Sequence, residues 1–181
     1  MNNFLRIDEG IDVMPALTQI KMHPELWDQN RLRTTYPGGP HSEASDIWLR
    51  FNVVDEADPH KVVDDIEAVN YPAWYALPVA RSLVMSLMAR VQGERLGRVV
   101  ITKLRPGKRI APHPDMGAPA TYYRRFHIVL QASPGCIFRA GDEQVSMKTG
   151  ECWWFDNRQE HEVINNGADD RIVIIADLRI S

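Results

Sequence analysis

From Gly97 to the C-terminus the chain is a succession of short runs in which apolar residues alternate with polar ones or fill every position. They read "GRVVITKL", "PGKRIAPHPD", "RRFHIVLQ", "CIFRA", "EQVSMK", "ECWWFD", "EHEVIN" and "RIVIIADLRI". Turn-forming pairs separate them: Pro106-Gly107, Pro134-Gly135, Gly141-Asp142, Thr149-Gly150 and Asn166-Gly167. Side chains of an extended chain point to alternate faces, so such runs suit strands with one face on a core. Many short strands at close spacing predict an all-β sandwich or barrel, with a jelly roll as the natural form. Trp153 and Trp154 are expected to pack in the core and at the barrel end.

The N-terminal half has another texture. "TTYPGGPHSEASD" is a loop by composition, and "DIWLRFNVV" (Asp46 to Val54) has the aromatic and β-branched residues of a strand. "LPVARSLVMSLMARVQG" opens at Pro78 and closes at Gly93, residues suited to the first turn and the end of a helix. Val79, Leu83, Leu87 and Val91 recur there at helical spacing as one apolar stripe. The expectation is one domain over residues 1–181: a supporting and substrate-side section over 1–96 with at least one helix, and a jelly-roll core over 97–181.

Composition removes some function classes. A formal net charge of -3 and a pI near 6.1 give no general polyanion-binding surface, so no nucleic-acid partner is expected. The two cysteines, Cys136 and Cys152, have no zinc-type spacing; they read as reduced core residues, with a disulfide between them as the alternative. The opening "MNNFLRIDEG" has no apolar run behind a basic start, and no apolar run is long enough for a membrane span. A cytoplasmic protein with no membrane partner is expected.

Candidate chemistry begins in "RIAPHPDMG". Taken alone, His113-x-Asp115 fits a polar loop. On an extended strand, however, both side chains would project from one face, and His161 in "QEHEV" can supply a third ligand. In that run Val163 shares the face of His161, while Glu162 and Ile164 take the other. Two histidines and a carboxylate form the facial triad that holds Fe(II) with open positions; a catalytic zinc accepts similar ligands. Arg171, at the head of the apolar run "RIVIIADL", is a charge where a strand buried on both faces is expected. It needs an anion, and the distal carboxylate of 2-oxoglutarate would suit its guanidinium fork; pairing with Asp169 or Asp170 is the structural alternative. Arg125 and His127 share one face of "RRFHIVLQ" and read as a second set of anion-binding donors.

Together "LRPGKRIAPHPD", "RRFHIVL", "GECWWFDNRQEHEVINN" and "DRIVIIADL" resemble the aspartyl/asparaginyl β-hydroxylase family of Fe(II)- and 2-oxoglutarate-dependent oxygenases. The upstream "ELWDQNRLRT" and "SDIWLRF" resemble it more weakly. The resemblance implies a double-stranded β-helix, cupin-like, with iron on His113, Asp115 and His161. It implies Arg171 on the distal carboxylate of 2-oxoglutarate with His127 assisting, Arg125 at a co-substrate or substrate carboxylate, and a hydroxyl contact from Thr102. It further implies oxidation of an unactivated C–H bond to an alcohol with O2, releasing succinate and CO2, on an amino-acid-like, peptidyl or other small substrate. His41 and Arg50, in the N-terminal section, are candidate substrate contacts; a surface histidine and a salt-bridged arginine are the alternatives. The animal family members that act on epidermal growth factor-like domains lack the carboxylate ligand that Asp115 provides, so their substrate does not transfer. Two other readings use the same ligands: a metal-containing jelly-roll binding or sensor module without turnover, and a cupin-type metal enzyme that does not use 2-oxoglutarate. A binding module does not need a dicarboxylate anchor such as Arg171, and a cupin-type enzyme would more often show extra histidines near the first ligand, where only His113 stands.

Overall fold

The computed structural model describes residues 1–55 and 58–181. The runs read from Gly97 onward all form strands: β4 (Arg95–Leu104), β5 (Arg109–His113), β6 (Arg124–Gln131), β7 (Cys136–Ala140), β8 (Glu143–Val145), β9 (Cys152–Phe155), β10 (His161–Asn165) and β11 (Arg171–Arg179). The preceding half supplies β1 (Phe4–Asp8), α1 (Met14–Met22), α2 (Leu32–Thr35), β2 (Ala44–Phe51), β3 (Val69–Asn70), α3 (Pro72–Ala76) and α4 (Pro78–Arg90), and α5 (Ala118–Tyr122) lies between β5 and β6. All pairings are antiparallel, in a seven-stranded sheet of order β1-β9-β6-β11-β4-β2-β3 and a four-stranded sheet of order β5-β10-β7-β8. This is the double-stranded β-helix, mainly β, that the sequence predicts. Because β1 and β2 hydrogen-bond into the larger sheet, the N-terminal section is woven into the core.

The larger sheet is covered on both faces. On β11 the even residues Ile172, Ile174, Ala176 and Leu178 join α1 and α4 in one apolar cluster, with Leu17, Ile20, Ala80, Val84 and Leu87 from the helices. The odd residue Val173 enters a second cluster between the sheets, with Phe138, Phe155 and Val163. A strand covered on both sides has no polar face to display, which explains the continuous apolar run. The α4 stripe is rotated by one residue from expectation: Ala80, Val84 and Leu87 are the buried positions, while Val79, Leu83 and Val91 flank them. Of the "TTYPGGPHSEASD" stretch only 36–43 is loop: Thr34 and Thr35 close α2, and Ala44, Ser45 and Asp46 open β2, which ends at Phe51. Both cysteines are buried free thiols; Cys136 Sγ donates to Asn165 Oδ1 (3.0 Å), and burial pushes the Cys152 thiol up to about 12. Among the described residues no helix is long and apolar enough to cross a membrane.

Candidate metal centre and adjoining cavity

His113 ends β5 and His161 begins β10, and the two residues are directly paired across the smaller sheet. Their rings lie 4.3 Å apart between centroids. The alternation read in "EHEV" holds: His161, Val163 and Asn165 are buried while Glu162 and Ile164 are half-buried. Asp115 arrives differently from the expectation of one strand face. The strand stops at His113, because Pro114 has no N–H to offer a ladder, and Asp115 sits in the loop beyond. That loop is held from outside. The Asp115 N–H donates to the Asn157 carbonyl (3.0 Å), and Gly117 has φ +83°, with a Cβ there falling 2.1 Å from the Val63 carbonyl oxygen. Asp115 nevertheless reaches both histidines, and one potential ligand atom from each of the three residues lies within 4.8 Å of the others.

The donor set fits a metal ion in protonation as well as position. His113 Nδ1 faces the Ala111 carbonyl (2.8 Å) and His161 Nδ1 the Gln159 carbonyl (2.9 Å), so in each ring the Nδ1 hydrogen donates and the Nε2 lone pair is left for a ligand role. His113 Nε2 is buried with no hydrogen-bond partner among the described residues, and lies 3.8 Å from Asp115 Oδ1. Burial keeps His113 below the usual histidine range and brings His161 down to about 4, so both rings are neutral at pH 7. Burial alone would raise the Asp115 carboxyl, but Arg125, His161, Asn157 and His113 overcome it and hold the acid below its usual range, ionised.

The other oxygen of Asp115 is fixed by the protein. Oδ2 accepts from Asn157 Nδ2 (2.9 Å) and from Arg125 Nη1. Arg125 on β6 stands opposite Asp177 on β11 and donates to it twice, Nε to Oδ1 (2.8 Å) and Nη2 to Oδ2 (3.0 Å). The guanidinium that was expected at a co-substrate or substrate carboxylate is thus engaged by two of the chain's own carboxylates, an Asp177–Arg125–Asp115 relay that aims the metal-facing oxygen. Sequence reading missed Asn157 and Asp177; their only signal is lying within "FDNRQEHEV" and "IADLRI", next to residues already singled out.

Arg171 is 2% exposed and has no ion-pair or hydrogen-bond partner among the described residues. Asp169 accepts instead from Ser133 Oγ (2.6 Å), so the structural alternative of pairing is not realised there. The guanidinium rests over the Phe138 ring (5.8 Å to the centroid), and burial lowers its pKa to about 10, leaving it a buried, charged and unpaired cation at neutral pH. His127 packs between Phe138 and Phe155 (5.2 and 5.0 Å) with its Nδ1 buried and unpartnered among the described residues; burial, then the Arg171 charge, hold it neutral. Thr102 is fully engaged: its hydroxyl donates to Asp46 Oδ1 (2.8 Å) and accepts from Arg33 Nη2 (3.1 Å).

A cavity of about 450 Å³ opens beside the triad, lined by His113, Asp115 and Arg125 and by His41. The His41 ring packs edge-on against His113 (5.0 Å, 76°), brought there by the Pro40 carbonyl accepting from the Ala111 N–H (3.0 Å). Arg50 is elsewhere. A bulge between Trp48 and Arg50 turns its side chain to the other face of β2, where it donates to the Gly97 and Ala68 carbonyls (3.2 and 2.9 Å) and lies over Trp74 (5.6 Å). One inserted residue exchanges the faces of a strand, and the arginine expected as a substrate contact lines a groove separate from the cavity beside the triad.

A family model described as Aspartyl/Asparaginyl beta-hydroxylase matches residues 24–180. No curated protein matches the chain. Among solved structures it is similar to a prolyl hydroxylase from Trichoplax adhaerens, in complex with a hypoxia inducible factor oxygen degradation domain peptide fragment. That match has 14% identity, 99% of this chain, 84% of that one and a TM-score of 0.62. An oxidoreductase of the 2OG-Fe(II) oxygenase family from Burkholderia pseudomallei matches at 13% identity, 98% and 84% coverage and a TM-score of 0.58. The viral collagen prolyl hydroxylase of Paramecium Bursaria Chlorella virus-1, solved as a 2OG complex, matches at 11% identity, 99% and 97% coverage and a TM-score of 0.52. At these identities the likeness is one of fold.

Proposed function

The chain belongs to the aspartyl/asparaginyl β-hydroxylase family, and from that membership we propose that it is an Fe(II)- and 2-oxoglutarate-dependent hydroxylase of an amino-acid-like, peptidyl or other small substrate. In this reading His113, Asp115 and His161 hold the metal, and Arg171 receives the distal carboxylate of 2-oxoglutarate. The observation that carries it is Arg171: a guanidinium 2% exposed, charged and unpaired among the described residues, inside the barrel that also holds a metal-ready triad. A buried charge without a partner costs several kcal/mol, which a dicarboxylate would offset. A binding module or a cupin enzyme without 2-oxoglutarate gives no reason to retain it.

When bound, iron with 2-oxoglutarate and O2 supplies the oxidising power that turns a C–H bond into an alcohol, with succinate and CO2 as co-products. The chain's own residues do the rest. Neutral His113 and His161 offer lone pairs without needing to lose a proton, since their Nδ1 hydrogens are spent on backbone carbonyls. Arg125 and Asn157 hold one oxygen of Asp115 and leave the other for the metal. His127, neutral beside Arg171, adds a polar atom without adding charge. Phe138, Phe155 and Val173 keep water from the interior, which strengthens each ionic contact made there. His41 lines the cavity as a substrate-side contact.

Anaerobic addition of Fe(II) and 2-oxoglutarate should give a visible metal-to-ligand charge-transfer band. The band should be lost or greatly weakened in His161→Ala; full intensity and affinity in that variant would remove His161 from the ligand set.

A further inference from the structure

The cavity beside the triad has walls of two kinds. Leu32, Phe51, Val62, Val100, Met116 and Ile175 form an apolar body with nothing to offer a polar substrate, while three arginines reach the same space. Two of these are matched by acids. Arg33 donates through Nε to Asp46 Oδ2 (2.8 Å), and Arg125 is shared by Asp115 and Asp177. Arg98 is not matched: among the described residues its guanidinium has only neutral acceptors, Asn52 Oδ1 for Nε (2.5 Å) and the Val62 carbonyl for Nη2 (2.6 Å). It lies over Phe51 (4.6 Å to the centroid), and Nη1 has no partner among the described residues. Neutral acceptors orient a cation but do not neutralise it. The acids nearest in charge, Asp177 and Asp115, are already held by Arg125.

We propose that this cavity takes a substrate with an apolar body and a carboxylate, and that Arg98 is the residue that selects the carboxylate. The proposal rests on the hydroxylase reading above and names the substrate class of that same site. The placing of the charges supports it: Arg33 is matched by Asp46, and Arg125 by Asp115 and Asp177, so Arg98 is the cation of this wall left without an acid of its own among the described residues, and a carboxylate would supply one. Burial lowers the Arg98 pKa to about 10, so it remains a cation at neutral pH. The guanidinium is pre-oriented by Asn52, Val62 and Phe51, so little side-chain entropy is lost when a carboxylate docks. Asp and Asn side chains, short and polar, would leave most of the apolar wall unfilled.

The test uses matched acids and amides. With the anaerobic charge-transfer band first establishing a loaded site, succinate formation above the uncoupled background is measured for L-leucine, L-phenylalanine and 4-methylpentanoate. The corresponding carboxamides, L-aspartate and L-lysine are measured beside them. The apolar acids should stimulate turnover, and the amides, aspartate and lysine should not. For the best acid, Arg98→Gln should raise KM by about tenfold or more, with partial recovery in Arg98→Lys, and should abolish the preference for acid over amide. The proposal is overturned if amides match acids, if aspartate or lysine is the best substrate, if no apolar acid stimulates, or if Arg98→Gln keeps the acid preference. Should Arg98→Gln fail to fold, the acid-to-amide comparison on the wild-type enzyme decides alone. Failure of the band itself would count against the hydroxylase reading.

Discussion

The two faces of β11 differ in a way that the run "RIVIIADLR" conceals. Its even residues, Ile172, Ile174, Ala176 and Leu178, seal the sheet against α1 and α4. Its odd residues from Arg171 to Asp177 begin and end in charge: Arg171 with no partner among the described residues at one end, Asp177 tied to Arg125 and through it to Asp115 at the other. Val173 and Ile175 separate the two ends. One face builds the fold, and the other carries one buried charge over Phe138 and a second that is tied through Arg125 to the candidate ligand Asp115. Substitutions on the two faces should therefore fail differently: the helix face in stability, the inner face in metal and co-substrate binding.

The largest effect is expected at the inner-face relay. Asp115→Asn keeps the shape of the side chain and removes its charge, so nearly all coupled succinate formation should disappear. Asp115→Ala should also bind iron more weakly through the remaining histidines. Iron content and succinate measured side by side, both at wild-type level in both variants, would reduce Asp115 to a loop residue. On the helix face, Ile174→Ala should cost about 2–5 kcal/mol in denaturant unfolding, because Ile174 is 0% exposed in a packed layer. Its folded fraction should still load iron and 2-oxoglutarate with wild-type affinity; loss of both together would erase the distinction between the faces.

A smaller effect separates positioning from ligation. Asn157→Ala removes one of the two donors on Asp115 Oδ2, and Arg125 keeps the other, so iron affinity should fall by roughly tenfold while the charge-transfer band keeps its position. An unchanged affinity would assign Asn157 to loop structure alone. The smallest effect is in acid. In the metal-free protein His161 titrates at about 4, whereas an unfolded histidine titrates near 6.5, so below that pH the unfolded chain binds more protons and stability falls. His161 alone should account for about 1 kcal/mol between pH 7.5 and 5.5, and His41, His113 and His127, all lowered first by burial, act in the same direction. Thermal melts of the apo protein across that window test this; a flat profile would mean that these rings are hydrated.

The contrast also explains what was legible beforehand. Strands β4 to β11 were readable because each alternates or is uniformly apolar between turn residues, and that signal is local. His161 was readable for the same reason. Arg50 was not, because a bulge in β2 exchanges its face, and nothing in "DIWLRF" marks the extra residue. Asp115 was placed on a strand that ends at His113, although the site it reaches is the one expected. The β1 edge strand, the Asp177–Arg125–Asp115 relay and the Arg33–Asp46–Thr102 cluster join residues distant along the chain, and composition does not carry such pairings.

Calorimetric titration of 2-oxoglutarate into metal-loaded wild type and Arg171→Leu tests the inner face most directly. The account predicts that the variant binds 2-oxoglutarate more weakly by about 2–5 kcal/mol, since a charge-assisted contact is lost and the carboxylate is left unpaired in a dry barrel. It also predicts that the variant melts no lower than wild type, because an unpaired buried cation has been replaced by an apolar side chain. An unchanged 2-oxoglutarate affinity, with the metal in place, would contradict it.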